Sequence, residues 1–116
     1  MDEHNGRIFR ELSERLLASG QVEEAITAAQ SGVYAAMEDP TVHVAYALAL
    51  ARAGRHAQAR TEFDSALLCP VDASDLAAAH LAYSRYLEGQ GELDAAGEHQ
   101  RRAHQLDPQL SPARPR

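Results

Sequence analysis

The chain is predicted to be all-α, a solenoid of helical hairpins, and three observations predict it. Gly20, Gly54 and Gly91 recur at intervals of 34 and 37 residues, each with a small residue five positions on, at Ala25, Ala59 and Ala96. Self-similarity at this period marks stacked helix pairs in which each copy buries a face against the next. Alanine occurs 23 times and β-branched residues are sparse, so helix propensity is high almost everywhere. Finally, apolar residues return at helical spacing in six segments, each closed by a turn signal.

The first helix is expected from about Arg7 to Ala18, with Ile8, Phe9, Leu12 and Leu16 on one face, Asn5 as its cap and Gly20 as a left-handed stop. A second, from about Val22 to Glu38, carries Ala25, Ile26, Ala29, Val33 and Met37. Asp39-Pro40 ends it and opens the third, because Asp caps and Pro fits the first helical position. That third helix spans about Thr41 to Ala53 and stops at Gly54. The fourth, about His56 to Leu68, buries Ala59, Phe63, Ala66 and Leu67 before Pro70. Asp72 with Asp75 forms a capping arrangement for the fifth, about Ala73 to Gly89, and the sixth runs from Glu92 or Leu93 to about Leu106. The longer interval between the second and third copies is assigned to residues 71–75, as a longer start to the fifth helix. Short connections make neighbours antiparallel. One repeat domain over 7–108 is therefore expected, with tails at 1–6 and 109–116.

The register of these positions resembles three tetratricopeptide repeats. The second copy carries most of the family pattern, with Tyr46-Ala47, Leu50, Gly54, Ala59, Phe63, Ala66 and Pro70. The third has Tyr83-Ser84, Leu87, Gly91, Ala96, Ala103 and the ending Leu106-Asp107-Pro108. In the first, Phe9, Leu12-Ser13, Leu16, Gly20 and Ala25 fit, while Ala29, Gly32 and the late Pro40 depart. The resemblance implies a right-handed superhelix whose first helix in each pair lines a concave groove for a peptide or helix of another protein. Mapped onto this chain, the groove positions are Arg7, Arg10, Glu14 and Leu17, then Val44, Leu48, Ala51 and Arg52, then Ala78, Leu81, Arg85 and Glu88. Its centre is apolar and its ends carry both signs of charge, which suits a segment with apolar anchors gripped by Arg. The competing reading makes Leu48 and Leu81 ordinary core residues. A clamp for chaperone C-terminal tails, as some relatives of that family carry, needs Lys and Asn; this chain has no Lys, and its one Asn is Asn5.

Composition narrows the function further. A formal charge of −6 and a pI near 5.4 argue against a phosphate-backbone binder. All eleven basic residues are Arg, so lysine Schiff bases and a P-loop lysine are excluded within the chain. The single Cys69 cannot form an internal disulfide and is read as a small buried residue at a helix end. The first ten residues lack an apolar signal core and no apolar run reaches the roughly 20 residues of a membrane span, so a cytoplasmic setting is expected. Six histidines, His4, His43, His56, His80, His99 and His104, do not pair three or four apart on one helix, so neither metal nor cofactor is expected. His43 and His80 hold equivalent places where an aromatic is usual, and are expected to pack between helices. Tyr34 is either packed or a partner anchor. The polar Gln100, with His99, Arg101 and His104, forms either a solvated cap for the last helix or a site of self-association through the C-terminal repeat. The expected function is a non-catalytic adaptor; the alternatives are a dedicated chaperone for a secreted or assembling protein, or a self-associating subunit.

Overall fold

High helix propensity broken at regular intervals by Gly and Pro produces six helices. The structure, a computed structural model, describes residues 3–109, and among these there is no strand. The helices are α1 (Glu3–Ala18), α2 (Val22–Ala35), α3 (Pro40–Arg52), α4 (His56–Leu67), α5 (Ala73–Gly89) and α6 (Leu93–Leu106). The chain divides after Pro70 into two units. In the first, α1 packs on α2 and α3 on α4, with α3 also against α1 and α2. The second unit holds the α5–α6 pair.

The same turn closes each hairpin. Gly20, Gly54 and Gly91 sit at φ of 82, 82 and 81°, a left-handed conformation that costs an L-residue with a Cβ about 1–2 kcal/mol. With each glycine placed so, the next residue's N–H reaches back to the helix: Gln21 to the Leu16 carbonyl, Arg55 to Leu50 and Glu92 to Leu87, at 2.8, 2.9 and 3.0 Å. These bonds satisfy helix-end carbonyls that otherwise lack partners. The alanine five residues on is fully or almost fully buried in all three copies. In the outer copies a buried serine fastens the pair, Ser13 donating to the Ala25 carbonyl and Ser84 to that of Ala96, both at 2.8 Å; the middle copy has Ala47 there.

The capping residues act as expected at two helices. Asp39 accepts from the Thr41 N–H with Pro40 in the first turn of α3, and Asp72 accepts from the Asp75 N–H. The fifth helix begins four residues before the position equivalent to Pro40, which takes up the longer third repeat. Two boundaries differ from expectation. Helix α1 starts at Glu3, so Asn5 lies inside it rather than capping it, and residues 3–6 of the assigned tail are helical. Helix α2 ends at Ala35, not Glu38, because Asp39 must be extended to cap α3 and precede Pro40, and the chain turns beforehand at Ala36 (φ −146°, ψ 63°). Met37 consequently lies beyond the helix and is exposed. Residues 1–2 and, in the assigned C-terminal tail, 110–116 lie outside the described residues.

Gly32, which departs from the repeat pattern, has a packing reason. A Cβ there would stand 3.3 Å from that of Phe9, and a Cβ on Gly6 would stand 2.6 Å from that of Ala36. Helices α1 and α2 thus approach at a seam of small residues that bulkier side chains would open.

Candidate functional site

In the first unit the candidate residues of α1 and α3 lie on neighbouring faces. At one end Arg7 and Arg10 share a cleft of about 360 Å³ with His4, Asp39 and Thr41. At the other, Arg52 Nη2 reaches the Leu17 carbonyl at 3.5 Å, tying α3 to the end of α1. Between them Val44 is half-buried and Leu48 stands 40% exposed, whereas Val42, Ala49 and Leu50 of the same helix are buried. Leu48 is therefore not a core residue. Ala51 and Leu17 are half-buried, and Glu14 is exposed beside Arg10, whose Nη1 lies 3.3 Å from Glu14 Oε2. The Arg10 Nε is buried with no partner among the described residues. An apolar strip flanked by guanidiniums can hold an apolar side chain and an acceptor beside it.

The second unit carries the remaining candidates as one stripe on α5. Leu81 is half-buried, while Ala78, Arg85 and Glu88 are exposed, at spacings of three and four that keep them on one side.

Sequence reasoning missed two histidine pairs. His43 is buried, with Nδ1 2.9 Å from Glu62 Oε1 and Nε2 2.7 Å from the Met37 carbonyl. Both acceptors face ring nitrogens, and only the imidazolium can donate to both. Burial alone would lower its pKa, but the Glu62 and Met37 hydrogen bonds and the charges of Glu62 and Asp39 raise it above the usual histidine value. In the equivalent place His80 Nδ1 meets His99 Nδ1 at 2.9 Å, and Tyr83 packs against the His99 ring at 4.5 Å between centroids. Burial, then the charges of His99 and Arg102, push His80 down to about 4. The signal for both lay in the repeat register: 43 to 62 and 80 to 99 are the same 19-residue step from first helix to second.

Cys69 is buried as expected, its Sγ 3.5 Å from the Ser65 carbonyl, and burial followed by Asp39 and Glu38 pushes the thiol pKa up. The α2–α3 turn forms a cleft of about 570 Å³ lined by Tyr34, Met37, Asp39 and Pro70, among others. Tyr34 there is exposed, not packed. Among the described residues no three His, Cys, Asp or Glu side chains gather as a metal site, and no helix is long and apolar enough to cross a membrane. A comparison of the chain with protein-family models, curated proteins and solved structures finds no match.

Proposed function

We propose that the chain is a non-catalytic binding module of the tetratricopeptide kind that holds a segment of another protein against α1 and α3. The observation that carries this reading is Leu48, an apolar side chain left 40% exposed between the arginines of α1 and Arg52. Support for the repeat type comes from the threefold recurrence of the left-handed glycine, its returning hydrogen bond and the buried alanine. The partner segment presents an apolar anchor to Leu48 and Val44, and a carboxylate or carbonyl to Arg7 and Arg10 in their cleft. On α5, the stripe of Leu81, Arg85 and Glu88 offers the same chemistry at the equivalent repeat positions. The setting proposed is the cytoplasm, where the single buried thiol remains reduced.

The test is capture from cell lysate by the wild type and by Leu48→Arg, then titration of the retained protein against both purified chains. Leu48→Arg is expected to weaken binding at least about tenfold, with far-UV circular dichroism unchanged because the side chain already points outward. Equal binding by both chains would overturn the reading.

A further inference from the structure

From a different face of the first unit, we infer that the chain forms a twofold dimer through α1. Helix α1 carries an i, i+4 ridge of Ile8, Leu12 and Leu16, with Phe9 beside it. Ile8 is 47% and Leu12 41% exposed. Phe9, Leu12, Leu16 and Ala28 line the floor of a shallow depression of about 390 Å³, and Glu23, Glu24, Thr27 and Ser31 of α2 line its other side.

The internal repeat shows what this face is built to meet. A 34-residue step carries Ile8 onto Val42, Phe9 onto His43, Leu12 onto Tyr46 and Leu16 onto Leu50. On α3 three of those positions are covered, with Val42 0%, Leu50 1% and His43 6% exposed, while Tyr46 is half-buried and accepts from Gln30 of α2 at its hydroxyl. The face that α3 uses to receive a helix is thus open on α1, with apolar side chains in the same places. Burial of that ridge supplies the driving force.

The charges beside the ridge select the occupant. Glu11 and Arg15 are both exposed, lie on one flank of the ridge, and form no ion pair among the described residues. When a second α1 packs antiparallel about a twofold axis, each flank faces its own copy in reverse order. Glu11 of one copy then faces Arg15 of the other, twice over. The midpoint of Glu11 and Arg15 is residue 13 and that of the ridge is residue 12, one helical rise of about 1.5 Å apart, so one axis serves both. A parallel pair would not bring that flank against itself. An isologous contact closes at two subunits.

Sedimentation equilibrium on the full chain tests this. A concentration-dependent dimer is expected. Leu12→Arg is expected to leave a monomer with unchanged circular dichroism; Ile8→Gln, a milder change at the most exposed site, gives the same answer should Leu12→Arg fail to fold. Glu11→Arg and Arg15→Glu, each counted twice by symmetry, weaken the dimer about tenfold, and the two together restore it. A wild type that stays monomeric throughout, a dimer that survives both apolar variants, or single charge variants that the double exchange fails to rescue would each overturn the proposal.

Discussion

Two histidines in equivalent places titrate in opposite directions, because their partners on the second helix differ. His43 faces a carboxylate and a carbonyl, so its folded pKa is raised. The stability it contributes is complete below the unfolded value near 6.5 and disappears as pH rises through the folded value. His80 faces another imidazole and is lowered to about 4. It is neutral in the fold at pH 7, and stability is lost as pH falls from 6.5 toward 4, where the unfolded chain binds the extra proton first. Thermal melts across pH 4–8 separate the two. His43→Gln is expected to lower the midpoint more at pH 6 than at pH 8, and His80→Gln to flatten the loss between 6.5 and 4. Parallel displacement of either curve from wild type would contradict the assigned charge states.

At the level of single elements, the glycines divide by what surrounds them. Gly54 meets nothing within 4 Å but holds φ of +82°, so Gly54→Ala is expected to cost about 1–2 kcal/mol through backbone strain alone. Gly6 has no such backbone constraint, yet its Cβ would collide with Ala36; Gly6→Ala is expected to cost about 1–3 kcal/mol by prising α1 from α2. Gly89, in the last turn of α5, is free of both restrictions, and Gly89→Ala is expected to stabilise by roughly 0.5–1 kcal/mol through helix propensity. Chemical denaturation with a shared slope measures all three, and a neutral Gly6→Ala would remove the small-residue seam from the account. Ala59, wholly buried opposite the turn, extends the series: Ala59→Leu is expected to cost about 1–3 kcal/mol by overpacking.

For the molecule as a whole, the two proposed contacts use different faces of the first unit, the partner segment on the Leu48 side of α3 and the second copy on the Leu12 side of α1. They are therefore separable. Leu48→Arg is expected to leave the sedimentation mass unchanged, and Leu12→Arg to leave titration by the captured partner within about twofold of wild type, since sites without shared contacts act independently. Loss of both properties in either variant would merge the two faces into one site.

The sequence by itself determined the helices and their turns. Helix propensity, the three glycines, Asp39-Pro40 and Asp72 are local signals, and the backbone follows them because each acts within one or two turns of its own position. Where expectation went astray at the end of α2, the deciding interaction was the competing role of Asp39 as the cap of α3. Leu12 and Ile26 read alike as apolar residues at helical spacing, so periodicity could not say that Ile26 packs inward and Leu12 does not. Only the tertiary structure decided that, because exposure depends on whether a neighbouring helix covers a given face. The histidine pairs were decided there too. An imidazole carries no preset charge near neutral pH, and Glu62 or His99, nineteen residues away along the chain, sets it only once the hairpin has closed.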